Sequence, residues 1–596
     1  MPEYLSPGVY VEEIEIGPKS IEGVSTSTAA FLGETERGPT APILVTGLEK
    51  FRRVFGSYSW RKGDGSMSTS FMRHALEGFF SNGGKRCIVA RVLGAGAVTA
   101  AWPGPTDPEK EQEAAKALEE ARTAEANAKK AVDDANTALE TARREAAADP
   151  ENQNKQRAVD RADREQKAAE KAHNDAKAAV EKAESAVREA REGDSAGAKE
   201  GGFTISALGP GVWGNRVSVL VERATLSPMN AKLFKLTVQY LKAEGDQQPW
   251  LQEVYDNLSP DAGDPNYVEK QINGFSDLVT IAPGKTRLPT PETGKQEECK
   301  LNGGTDGDEI GLNEYSGGER IGQRSGLNAL KEVDEISIVC APNEHEVDGL
   351  TDALVTHCEN LKDRFAVLQA NPGKSDVANH YPPKDSKYAA YYYPWIKIID
   401  GGTGVPTLIP PGGHIAGIYA RTDIERGVFK APANEVVRGA IDVEFKLTVG
   451  EQDLLNPRGV NCIRSFVGRG IRVWGARTVS SDPLWKYVNV RRLFLYLEES
   501  IEQGTQWVVF EPNDQRLWAR VKQSVADFLT TEWRNGALIG NTAEAAFFVK
   551  CDETTMTQND LDNGRLIVVV GVAPVKPAEF VIFRIAQWTR GSEAAA

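Results

Sequence analysis

The chain has 596 residues, 40% hydrophobic and 26% charged, a composition of soluble globular protein long enough for several domains. A net charge of −15 argues against a general nucleic-acid binder, whose footprint is basic, and against attraction to an anionic membrane surface. No apolar run approaches the ~20 residues of a membrane span, Met1-Pro2-Glu3-Tyr4-Leu5 lacks the character of a signal peptide, and six scattered cysteines without CxxC spacing predict reduced, mostly buried thiols of a protein made in a cytoplasm.

In chain order, residues 1–20 read as an arm. Pro7-Gly8 sets a turn, 9–16 is a strand, and Gly17-Pro18 ends it. Residues 21–102 predict an α/β unit with strands at 28–33 and 87–93. Its helix at 71–80 is stopped by Asn82-Gly83-Gly84.

Residues 107–200 are Ala-, Glu-, Lys- and Arg-rich. Ala114, Ala121, Ala128, Ala135 and Ala142 recur every seven residues, beside a second row at Ala117, Ala124, Ala131 and Ala138. After Asp149-Pro150 the rows restart, as Ala162, Ala169, Ala176, Ala183 and Ala190 beside Ala172, Ala179 and Ala186. This pattern predicts an inserted antiparallel coiled-coil hairpin with arms of about 40 residues, roughly 60 Å long. Leu118, Val132, Leu139, Val159, Val180 and Val187 flank the predicted seam.

Residues 201–330 predict a β-rich unit, with half-exposed strands at 216–221 and 234–240 and a short helix near Tyr267. Residues 331–510 alternate strand and helix. Strands fall at 336–340 and 365–369, helices at 347–361 and 414–420, and one long aromatic strand at 388–399. An amphipathic helix at 488–501 places Val490, Leu493, Leu497 and Ile501 on one face. In 511–596, Asn513 or Asp514 caps a helix with a stripe of Leu517, Trp518, Val521, Val525, Phe528 and Leu529. Two apolar strands follow, at 566–572 and 580–588. Such edges recruit other chains, so with the N-terminal strand they point to a protein that joins copies of itself.

The fold class expected is α/β (α+β) and multidomain. A mixed-sheet core is built from N- and C-terminal parts, with a β-rich middle domain and the inserted hairpin. The domains expected are 1–20, 21–102, 107–200, 201–330, 331–510 and 511–596.

Chemical motifs fail one by one. Gly284-Lys285-Thr286 lacks the phosphate-loop glycine five residues earlier, where Val279 stands, and Gly94-x-Gly96 is followed by Thr99 where a third glycine belongs. Asp306-Gly307-Asp308 lacks the remaining ligands of a calcium loop and reads as a turn. The six histidines show no HExxH pair or metal-ligand spacing. His414 is the most suggestive of them, but no GxSxG nucleophile accompanies it. The expectation is a protein that is not an enzyme and has no cofactor or metal.

The chain resembles contractile tail sheath proteins of phage tails and phage-tail-like contractile injection systems. The resemblance rests on Leu5-Ser6-Pro7-Gly8-Val9-Tyr10-Val11-Glu12-Glu13, Pro210-Gly211-Val212-Trp213-Gly214-Asn215 and Leu301-Asn302-Gly303-Gly304-Thr305-Asp306-Gly307. It extends to Tyr388 through Trp395, Gly413 through Asn434, Val509-Phe510-Glu511-Pro512-Asn513 and Pro577-Ala578-Glu579-Phe580. It covers roughly residues 1–102 and 201–590; the alanine-rich hairpin departs from it.

The resemblance implies a structural subunit that stacks as six-fold rings around an inner tube and shortens to drive the tube through a target envelope. Its implied partners are copies of itself, the inner tube protein, and baseplate and terminal cap proteins, with no nucleic acid and no membrane insertion. Assembly in the bacterial cytoplasm, as part of a virion or tail-like particle released by lysis, is implied too. Neighbouring subunits would exchange terminal strands, here Val9, Tyr10, Val11, Ile14 and Ile16 with Leu566, Val568, Val570, Phe580, Ile582, Phe583 and Ile585. Gly17-Pro18 and Pro574-Val575-Lys576-Pro577 would serve as hinges. Arg516, Arg520 and Lys522 would meet an acidic tube surface, with an ordinary solvated helix face as the competing reading. A tail-derived adhesion protein working through its hairpin, and a hydrolase built on His414, remain as alternatives.

Overall fold

The computed structural model describes residues 21–582 except 64, 103–107, 149–151, 193–201, 229–231, 244–245, 247 and 289–294. The arm strand with Val9, Tyr10, Val11, Ile14 and Ile16, and the terminal Phe583 and Ile585, lie outside the described residues.

A nine-stranded mixed sheet forms the largest core. Its spatial order is Glu435–Val436, Gly470–Val473, Val460–Phe466, Ala389–Tyr393, Phe365–Gln369, Ile338–Cys340, Ala29–Gly33, Cys87–Arg91 and Ile43–Val45. The six strands from Val460–Phe466 to Cys87–Arg91 are parallel, and the flanking strands are antiparallel. Parallel strands covered on both faces read as continuous apolar runs. Accordingly Ala29–Gly33, Phe365–Gln369 and Ala389–Tyr393 are buried along their whole length. Ala29 is in register with both Ile338 and Cys87, so segments 21–102 and 331–510 form one sheet from two distant stretches of chain.

The long strand expected at 388–399 is two strands. Ala389–Tyr393 joins the large sheet, while Ile396–Ile399 pairs antiparallel with Pro406–Ile409 and Ala440–Val443. Pro394 between them has no N–H to continue a ladder. Helices Met72–Ser81 and Gly412–Arg426 pack backbone to backbone through glycine. A Cβ on Gly413 would fall 2.2 Å from the Ala75 carbonyl oxygen, and one on Gly417 2.4 Å from that of Phe79.

The β-rich unit holds a second core around Trp213, Val219, Leu236 and Tyr240. Val217–Arg223 and Phe234–Tyr240 pair antiparallel, and Val268–Ile272 is the short helix. Strands Ala101–Trp102 and Gly202–Ala207 also pair antiparallel, so the chain leaves and re-enters this unit at adjacent strands.

Between those strands, helices Pro108–Ala148 and Gln153–Glu192 pack on each other. One alanine row on each helix faces inward as expected, at Ala121, Ala128, Ala135 and Ala142 and at Ala162, Ala169, Ala176 and Ala183. The second rows differ from expectation. Ala117, Ala124, Ala131, Ala138, Ala172 and Ala179 are exposed, and their inward places are taken by Val132, Leu139, Ala146, Val159, His173 and Val180. Both registers satisfy a seven-residue repeat. The one adopted buries larger apolar side chains, and buried area decides between them.

Candidate assembly surfaces

The chain's C-terminal part is built on helix Gln515–Arg534. Asp514 caps it, its carboxylate accepting from the Leu517 amide at 2.8 Å, and the Asn513 side-chain oxygen accepts from Trp518 Nε1 at 2.7 Å. Leu517, Trp518, Val521, Val525, Phe528 and Leu529 are buried in a third core with Leu493 and Leu497 of helix Val488–Thr505. The opposite side presents Arg516, Arg520 and Lys522, all exposed. The Arg520 guanidinium stacks 4.5 Å over the Trp507 ring, and Arg516 and Lys522 carry no ion pair among the described residues.

The strand expected at 566–572 is shorter, Val569–Val572, and has a partner in its own chain. It pairs antiparallel with Phe547–Lys550, Val570 opposite Val549. Leu566 and Val568 precede the strand and pack against the third core instead. No further strand pairs with this ribbon among the described residues. Isolated two-stranded ribbons are marginal and leave open edges.

The stretch at 574–577 is no free hinge. Pro574 bridges to Leu538, and the Val575 amide donates to the Ala537 carbonyl at 3.2 Å. Glu579 is held harder. Its carboxylate accepts from Arg477 Nε and Nη2, both at 2.7 Å, from Asn456 Nδ2 at 2.9 Å and from the Tyr487 hydroxyl at 3.1 Å, with Lys486 Nζ 3.5 Å away. Burial by itself would raise this carboxyl, but the Arg477 guanidinium and the other donors outweigh it and hold the value near about 2. Immediately beyond, Phe580, Val581 and Ile582 are 70, 70 and 79% exposed and lie in no strand. Sequence reasoning missed both Phe547–Lys550 and the Glu579 socket. The signals were the five-residue apolar run from Ala545 to Val549 and the single acid in Pro577-Ala578-Glu579-Phe580.

The other singled-out motifs resolve into packing. The Val212 amide donates to Asp306 Oδ1 at 2.9 Å and the Gly63 amide to Oδ2 at 2.8 Å, and the Asn215 side chain pairs with both backbone groups of Gly304. The two motifs around Trp213 and Asp306 therefore interlock. His414 is buried, its ring filling the space over Gly78. Burial first, and the neighbouring His74 second, lower its pKa to about 4, so the imidazole is neutral at pH 7. Gly284-Lys285-Thr286 lies within strand Val279–Arg287. All six cysteines are buried and free. Among the described residues no group of three or more His, Cys, Asp or Glu side chains is placed to hold a metal ion, and no helix is long and apolar enough to cross a membrane.

Comparison with known proteins bears on these surfaces. Residues 318–479 match the phage tail sheath protein central domain, and residues 480–587 match the phage tail sheath C-terminal domain. The tail sheath protein of Burkholderia phage BcepMu is 29% identical over 269 residues, 41% of this chain and 55% of that protein, so the match spans about half of the relative's length. A putative prophage major tail sheath protein of Pseudomonas aeruginosa strain UCBPP-PA14 is 25% identical over 276 residues, 44% of this chain and 69% of that one. In fold the chain is similar to the helical sheath of the anti-feeding prophage in its contracted state, with a TM-score of 0.50 over 98% of this chain and 99% of the other at 21% identity. The chain belongs to the contractile tail sheath family, whose proteins are structural parts of phage tails and tail-like injection systems.

Proposed function

We propose that this chain is the repeating subunit of a contractile sheath. Copies stack as six-fold rings around an inner tube, are joined by exchanged terminal strands, and rearrange from a long to a short lattice that drives the tube through a target envelope. The observation that carries this reading is the end of the described chain. A charged socket pins Glu579, three consecutive apolar residues then stand exposed, and a two-stranded ribbon in the same C-terminal part has no further strand partner among the described residues. An apolar segment of that kind is covered by strand addition to a neighbour, which supplies main-chain hydrogen bonds between copies. The ribbon Phe547–Lys550 with Val569–Val572 is the acceptor, and Val9 through Ile16 and Phe580 through Ile585 are the donated segments.

Partners beyond copies of the chain are an inner tube, a baseplate and a terminal cap. Assembly takes place in the bacterial cytoplasm. The helical hairpin is an inserted coiled coil that points away from the tube, since an inward position would collide with it. The tube-facing surface is the exposed side of Gln515–Arg534. Reversing charge at Arg516 and Lys522 together is expected to reduce tube-bound sheath at least tenfold in co-assembly, while leaving the thermal midpoint of the free subunit in place. Unchanged co-assembly would return that face to ordinary solvated surface.

The decisive experiment is negative-stain electron microscopy of the purified chain alone and co-expressed with the tube protein. Hollow tubes or stacked rings with six-fold end views are expected. Monodisperse particles in both preparations would reject the sheath reading and favour the hairpin-bearing adhesion protein.

A further inference from the structure

Helix Val488–Thr505 has a stripe outside the large sheet's core, with Tyr496 packing against the third core. Asn489, Arg492, Tyr496, Ser500 and Gly504 recur at three- and four-residue steps, on one face over about 22 Å at 1.5 Å per residue. The first described residues of the chain lie along that stripe. Arg492 Nη2 donates to the Thr26 carbonyl at 2.8 Å, and both Arg492 and the Thr26 hydroxyl bond the buried Asp423 carboxylate. The Val24 amide donates to the Ser500 hydroxyl at 3.1 Å. Gly23 passes over Tyr496, where a Cβ would sit 2.0 Å from the ring hydroxyl oxygen. Ile21 is buried in the space that Gly504 leaves open, since a Cβ on Gly504 would come within 2.6 Å of it.

Residues 575–579 touch the same helix's start, while the shorter bonds to Glu579 come from Arg477 and Asn456 outside it. Asn489 Nδ2 donates to the Val575 carbonyl at 3.3 Å, and Tyr487, the residue before the helix, donates to Glu579. The first described residues and the stretch at 575–579 therefore both touch one helix.

We propose that helix Val488–Thr505 is a tie between the two connecting segments, so that tension from one neighbouring copy to the next is shared between this helix and the nine-stranded sheet, to which Thr28 and Arg477 bond the same two roots. The inference rests on the strand-exchange reading above. A helix suits the task because contacts distributed along its length are loaded together, whereas a sheet core pulled from one strand end yields bond by bond. Glu579, Ser500 and Gly504 act as positioning residues for the connectors.

The test uses the full chain in two states. Hydrogen exchange on the unassembled protein is compared for wild type, Gly504→Ala, Glu579→Ala and the double exchange Arg477→Glu with Glu579→Arg. Alanine is the better helix former, so Gly504→Ala keeps the helix and evicts only Ile21. It is expected to raise exchange at 21–26 about tenfold while the helix amides stay protected. Glu579→Ala is expected to do the same at 573–579, and the double exchange to restore protection. Contracted polymers of both single variants are expected to part into short lengths where wild type stays continuous. Unchanged exchange at the two roots overturns the tie, and so do loosened roots with contracted polymers as long as wild type. Absence of any polymer from wild type overturns the strand-exchange reading instead, and the exchange data then still judge the anchoring.

Discussion

Asp423 and Arg492 show how a single residue pair decides stability at the root of the N-terminal segment. Each side chain is 3% exposed, and their bonds are 2.7 and 2.9 Å long. Asp423→Ala strands a buried guanidinium and is expected to cost about 3–5 kcal/mol, measurable by urea unfolding. Glu579 sets a second expectation, through pH. Its neighbours are the cations Arg477 and Lys486, with Tyr487 and Asn456 as neutral donors. The folded pKa lies near about 2, below the ordinary 4.5, so the socket contributes fully above pH 4.5 and is lost as pH falls through about 2. Exchange protection at 573–579 is expected to hold down to pH 3.5, and Glu579→Gln to remove that pH dependence. Neither partnership was legible in the sequence, because 69 positions separate Asp423 from Arg492 and 102 separate Arg477 from Glu579. Periodicity reports only neighbours along a helix or strand.

At the scale of elements, periodicity served well where one face meets one core. The stripe from Leu517 to Leu529 is buried as its spacing predicts, and Leu529 is fully enclosed. Leu529→Ala is expected to cost about 2–5 kcal/mol, read from the shift in the denaturation midpoint. Periodicity served less well in the hairpin, where two heptad registers were open. The alanine-only register predicted for the second rows gave way to one carrying Val132, Leu139 and Val180, because larger side chains remove more surface from water. It failed at 388–399, where an unbroken aromatic run hid a change of sheet at Pro394. Strand Val569–Val572 was found, but its partner Phe547–Lys550 was too short to stand out.

For the whole molecule, the position of the hairpin is the feature with the clearest consequence. It interrupts two strands that are already paired, Ala101–Trp102 and Gly202–Ala207. Among the described residues, an exposed bond from Arg122 to Gln323 at 3.4 Å joins it to the body. Deleting residues 107–200 and closing the gap with a short turn is expected to leave the thermal midpoint of the remainder, polymer formation and contraction intact. Electron microscopy of the shortened chain checks this, and loss of assembly would place the hairpin between subunits. The sequence by itself determined the element types, the helix stripes, the alanine-rich interruption and the family resemblance, because each is written in local spacing or in contiguous motifs. Only the tertiary structure decided that residues 21–102 and 331–510 share one sheet, that 574–579 is clamped rather than hinged, and that residues 21–26 and 575–579 both touch helix Val488–Thr505. Those features are contacts between residues tens to hundreds of positions apart, and they exist only once the chain has closed on itself.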